Sequence, residues 1–186
     1  MRRLFLGLAI VLLAASGALA QPAEIIIIRH AEKPPDGNHL SLQGRERAAA
    51  LVPYFLETPE LLEFKTPVAI YAQAPKKDTS SVRSIETVKP LADALELPIN
   101  ETYLRDDYRK MLAEIMASKE YQGRTVLICW EHNVIIEIAK ELGAENVPAN
   151  WPGSTYDRTW VISLKPGQHP RLKDLPQKLM YGDSEK

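Results

Sequence analysis

Two short stretches of this sequence carry residue types suited to chemistry. Arg29-His30 follows directly on Glu24–Ile28, a β-branched run apolar on both faces, and Glu131-His132 follows directly on a second apolar run, Thr125–Trp130. A neutral imidazole can act as a nucleophile or a proton carrier, and a guanidinium fork matches the oxygens of a phosphate. Either pair alone is commonplace. Two histidines that each end a buried strand of one parallel sheet can meet, because such sheets bind ligands beyond the carboxyl ends of their strands. Arg83 adds a third group, within the segment Thr79–Thr87, at the start of a helical pattern that follows another apolar run. A helix start presents unpaired N–H groups and partial positive charge to an anion. Arginine is disfavoured there by the helix dipole, which argues for a ligand against the plainer reading of a solvated helix-end arginine.

The elements that must position these groups can be read from periodicity. Runs at Glu24–Ile28, 67–72, Thr125–Trp130 and 159–164 have the length and composition of buried strands. Helical spacing falls between them, at 43–56, 82–95, 106–118 and 133–142, with Pro53 and Pro90 as points of bending and Gly143 as a stop. Strands alternating with helices predict an α/β fold, three layers α/β/α on a mostly parallel central sheet. Residues 21–186 form one domain in this reading, long enough to bury a substantial core.

Residues 1–20 are of another kind. Arg2-Arg3 is a short basic region, Leu4–Ala15 is apolar, and Ala18-Leu19-Ala20 places small residues where a signal peptidase reads them. The expectation is a cleaved secretory signal, an exported (periplasmic or secreted) protein, and no stable membrane association after cleavage. Removing two of 23 basic residues and none of 24 acidic ones leaves 21 − 24, or −3. A mildly acidic chain has no electrostatic footprint for nucleic acid. The single cysteine, Cys129, lies inside an apolar run, allows no intramolecular disulfide and reads as a buried small hydrophobe.

Four motifs in order resemble the histidine phosphatase superfamily, also called phosphoglycerate mutase-like. Arg29-His30-Ala31-Glu32-Lys33-Pro34 resembles its Arg-His-Gly signature, and Leu40-Ser41-Leu42-Gln43-Gly44-Arg45-Glu46-Arg47-Ala48 its first helix opening. Ser81-x-Arg83-x-x-x-Thr87 resembles its second-arginine helix, and Glu131-His132-Asn133 its second-histidine turn. The resemblance spans nearly the whole of residues 21–186. It implies a phosphoglycerate mutase-like fold and a metal-independent phosphomonoesterase without cofactor, in which His30 becomes phosphorylated while Arg29, Arg83 and His132 stabilise the transferring oxygens.

The sequence departs from that pattern in two places. Ala31 stands where the family usually has glycine, and Asn133 stands where one branch has its proton-donating aspartate. Glu131 is then the first candidate for the proton donor, with Asp106 and Asp107 as others, although aspartate at a helix start is also an ordinary cap. Asn38 and Ser41 could touch phosphate or could simply be turn and cap residues. His30, Glu32 and His132 as ligands of a hydrolytic metal rank lower, since no metal-binding spacing is present. The expected substrate is a small phosphorylated molecule or a phosphoprotein, with oligomeric state open. The alternative from another class is a non-catalytic phosphate- or ligand-binding module that keeps the fold.

Overall fold

A computed structural model describes residues 21–185; the expected signal, residues 1–20, lies outside the described residues. Eleven elements are used below: β1 (Glu24–Arg29), α1 (Leu42–Glu57), α2 (Pro59–Leu62), β2 (Ala69–Ala72), α3 (Arg83–Ala94), β3 (Ile99–Asn100), α4 (Tyr108–Ala117), β4 (Thr125–Trp130), α5 (His132–Glu141), β5 (Arg158–Ser163) and β6 (Arg171–Pro176). The strands form one sheet in the order β3-β2-β4-β1-β5-β6.

β1 is central because it can bury both faces. Ile25, Ile26, Ile27 and Ile28 are all fully buried, each removal from water stabilising the fold by roughly 1.5–3 kcal/mol. Alternation sends Ile26 and Ile28 toward α1 and α3, where they meet Leu51, Phe55, Val88 and Leu91. Ile25 and Ile27 face the opposite layer, with Met111 and Ile115 of α4 and Ile135 and Ile138 of α5. The architecture is therefore α/β/α, as the sequence pattern predicts. Cys129 is fully buried on the α1/α3 side, and burial pushes its thiol well above the ordinary range.

The order of the sheet sets up the site. β1 pairs in parallel with β4, and β4 in parallel with β2, so three carboxyl ends lie side by side. β5 pairs antiparallel to β1, with Ile28 opposite Thr159. The chain entering β5 therefore arrives at the same end of the sheet where β1 finishes. The sequence pattern does not reveal that direction, because a buried strand looks alike in either sense.

One helix starts later than the periodicity predicts. The helix expected from Asp106 begins at Tyr108, after a 3-10 turn over Arg105–Asp107. Beyond Gly167 the chain adds β6, antiparallel to β5 at the sheet edge. Both α1 and α3 continue through their internal prolines. Among the described residues no helix is long and apolar enough to cross a membrane.

Candidate active site

His30 leaves β1 at its carboxyl end, its N–H donating to Trp130 O of β4 at 3.3 Å. It is 7% exposed. Its Nδ1 lies 2.8 Å from Ala31 O. A carbonyl can only accept, so Nδ1 carries the proton and Nε2 keeps its lone pair. Burial holds the imidazole neutral, lowering its pKa to about 4, and the charges of Arg29, Arg83 and His132 act in the same direction. An imidazole kept neutral and held in one tautomer is ready to attack an electrophile.

The Ala31 peptide is itself fixed. Ala31 N donates to Thr87 Oγ1 at 2.8 Å, and the Thr87 hydroxyl donates to Arg83 O at 2.7 Å. Thr87 thus ties α3 to the residue that orients the His30 ring. Gly44 holds the other side of this turn, because a Cβ there would stand 2.3 Å from Glu32 O. Only glycine lets α1 pack so closely against the backbone two residues past His30.

Arg29 is 3% exposed. Its Nη1 donates to Gly153 O and Thr155 O, each at 2.8 Å, and more weakly to Pro152 O at 3.5 Å. Its Nε is buried without a partner. The guanidinium carbon lies 3.9 Å from the centre of the Tyr156 ring, which is also 6.0 Å from the His30 ring. Burial lowers the Arg29 pKa, with Tyr156, Glu131 and Glu32 opposing that shift. A buried cation with an unsatisfied donor is costly unless an anion completes it.

Arg83 opens α3 but turns back over the loop before α1, its Nε donating to His39 O at 3.1 Å and its Nη2 to Gly37 O. Glu86 braces the same loop, accepting from Leu40 N at 2.8 Å and lying 2.6 Å from His39 Nδ1. His132 is the first residue of α5. Burial, followed by the Arg29 charge, lowers its pKa. A Cβ at Gly153 would stand 3.7 Å from its Nε2, so the 152–155 loop borders both Arg29 and His132. His132 Nδ1 lies 3.0 Å from Glu131 Oε1 but without hydrogen-bond alignment, which leaves that buried nitrogen unpartnered.

The three carboxyl candidates are placed differently. Glu131 lies beside His132, and its two oxygens also accept from Asn133 Nδ2 at 2.7 Å and Arg105 Nε at 3.2 Å. Asp106 is exposed and paired with Arg105. Asp107 pairs with Lys110, whose hydrogen bond holds its carboxyl below the usual range, the opposite of what a proton donor needs. Ser41 uses its hydroxyl to cap α1, accepting from Gly44 N at 3.0 Å, and Asn38 accepts Val82 N at its backbone carbonyl. Among the described residues no group of three or more His, Cys, Asp or Glu side chains is gathered to hold a metal ion.

No family model matches the sequence, and no curated protein matches it either. Solved structures do. The protein histidine phosphatase SixA complexed with tungstate superposes with a TM-score of 0.60 over 83% of this chain and 97% of its own, at 13% identity. The mycobacterial glucosyl-3-phosphoglycerate phosphatase superposes with a TM-score of 0.53 over 83% of this chain and 97% of its own, at 18% identity. The fold is the histidine phosphatase fold.

On the histidine phosphatase fold, two features of this chain escape motif reading. Tyr156 reaches Arg29 and His30 only because β5 runs antiparallel to β1. The second is a buried ionic cluster just past His30. Arg47 of α1, 2% exposed, donates from Nε and Nη2 to Glu32 at 2.7–3.1 Å, and from Nη1 and Nη2 to Asp183 at 2.9 and 2.6 Å. Its Nη1 also reaches Gln177 Oε1 at 3.1 Å. A polar cavity of about 330 Å³ lies here, lined by Glu32, Arg47, Tyr156, Asp157 and Asp183 rather than by His30. A sequence signal for the cluster did exist: Arg47 falls on the apolar stripe of α1 beside Ala48 and Leu51, where a charge requires a buried partner.

Proposed function

We propose that this chain is a phosphomonoester hydrolase that works through a phosphohistidine on His30. The observation that carries the reading is the state of His30: buried, neutral, with Nδ1 held by Ala31 O and Nε2 left as the electron pair. In the first step Nε2 forms a bond to phosphorus as the bond to the leaving oxygen breaks. In the second, water attacks the phosphohistidine, the P–N bond breaks, and inorganic phosphate leaves.

Arg29 and Arg83 supply charged donors to the transferring oxygens, with His132 near Arg29. We assign proton donation to the leaving oxygen to Glu131, the one carboxyl of the three candidates that lies against His132. The substrate is a small phosphorylated molecule or a phosphoprotein, and export on residues 1–20 would place the reaction outside the cytoplasm.

Acid-quenched reaction with a labelled phosphomonoester tests the reading. The expected result is an acid-labile, base-stable phosphoryl adduct and turnover that survives a chelator. His30→Ala is expected to abolish the adduct and lower turnover by roughly 10⁴-fold or more. A phosphoester panel giving neither adduct nor turnover would return the chain to the class of non-catalytic binding modules.

A further inference from the structure

The segment after β6 folds back over the site end of the sheet, and its contacts run in two directions. Gln177 is 4% exposed, and its amide Nε2 donates to Arg158 O at 3.2 Å and Thr159 Oγ1 at 3.3 Å. Its backbone N–H donates to Asp157 O at 2.8 Å. Ser184 N donates to Asp157 Oδ2 at 2.5 Å. Asp157 is 7% exposed and adjoins Tyr156, the ring that lies over Arg29 and against His30. The second direction runs through Asp183, which accepts from Leu179 N and Met180 N at 2.8 and 3.0 Å and is clamped by Arg47. Arg47 in turn grips Glu32, two residues beyond His30.

We propose that Gln177–Ser184 is a clasp for the catalytic site, with Asp183 the positioning residue that fixes the Glu32 turn and, by holding the adjacent Ser184 N–H on Asp157, the Tyr156 ring. The clasp rests on the phosphatase reading of His30 for its kinetic test. Its chemistry is indirect: Asp183 touches neither His30 nor Arg29, and acts by holding the groups on either side of them. The charge balance makes the test clean. Arg47 stands between two carboxylates, so loss of the Asp183 charge still leaves a neutral, hydrogen-bonded Glu32–Arg47 pair and no stranded buried ion.

Asp183→Asn, Tyr156→Ala and the double variant are compared by thermal melting and by hydrolysis of para-nitrophenyl phosphate. Asp183→Asn is expected to melt cooperatively and to lose about tenfold in kcat; in the Tyr156→Ala background the same change should cost less than about threefold, since both act through one ring. A lowered melting temperature with kcat and KM unchanged, or losses that simply multiply in the double variant, would overturn the clasp. Histidine imidazole titration by NMR gives a readout free of turnover. Water entering beside a displaced Tyr156 should raise the His30 midpoint in Asp183→Asn by about one unit or more above that of the unaltered protein; an unmoved midpoint sinks the proposal. If the unaltered protein hydrolyses nothing, the phosphatase reading fails by itself, and the titration alone decides the clasp.

Discussion

Arg29 and Arg47 are both buried arginines close to His30, yet their surroundings leave them in opposite conditions. Arg47 has all three guanidinium nitrogens engaged, by two carboxylates and an amide oxygen. Burial alone would lower its pKa, but the bonds from Asp183 and Glu32 more than reverse that and carry it upward. Arg29 has only uncharged carbonyls on Nη1, a Tyr face beside it and nothing on Nε, and burial wins, lowering its pKa. A cation already neutralised by the fold has little to offer a ligand. One whose neutralisation is left incomplete is, in the function proposed above, the one that meets the phosphoryl group. What differs between the two is whether the hydrogen-bonding capacity of the buried charge is filled from within the chain.

Five experiments press on that contrast and on the turn beside it. Arg47→Met removes the cation between Glu32 and Asp183 and leaves two buried carboxylates facing each other. A loss of about 3–5 kcal/mol is expected, read as a fall of roughly 10 °C or more in melting temperature. Arg29→Lys keeps a charge but not the fork. Its expected effect is on turnover, about 10²-fold in kcat, with a much smaller melting shift. Should Arg29→Lys melt like Arg47→Met and keep its turnover, the two arginines would share one structural role.

The pH dependence sharpens the open side of the comparison. His30 titrates at about 4 in the folded chain and near 6.5 when unfolded, so the unfolded state takes up its proton first as pH falls. Stability is therefore fully present above pH 6.5 and declines between pH 6.5 and 4, by about 3 kcal/mol from this group. Denaturant titration across that window, with His30→Gln as the reference, should show the slope vanish in the variant. The acid limb of kcat/KM should likewise fall near pH 4 rather than near 6.5. The smallest effect is expected from Gly44→Ala, whose Cβ would meet Glu32 O, at about 1–3 kcal/mol of stability.

Much of this was open to reading before any coordinates. Four consecutive isoleucines suit a strand covered on both sides, and the apolar steps of α1, α3, α4 and α5 specify the layers above and below. Arg29-His30 and Glu131-His132 emerge at one end of the sheet once their strands are parallel, and the register that pairs Arg29 with Trp130 sets them level. Ser41 was legible as a cap, whereas the close approach of Gly44 to the Glu32 backbone was not. Proton donation was less accessible: Glu131, Asp106 and Asp107 differ in what surrounds them, and partners such as Arg105 and Lys110 are assigned by packing.

The sequence by itself determined the α/β/α layers, the strand ends from which the histidines emerge and the helix that Arg83 opens, since these follow from local periodicity and chain connectivity. The tertiary structure decided the direction of β5, the arrival of Tyr156 over Arg29, and the closure of Arg47 by Asp183 from 136 residues away. Those three depend on which distant groups meet. For a buried charge, that meeting sets whether its donors are filled from within or left for a ligand.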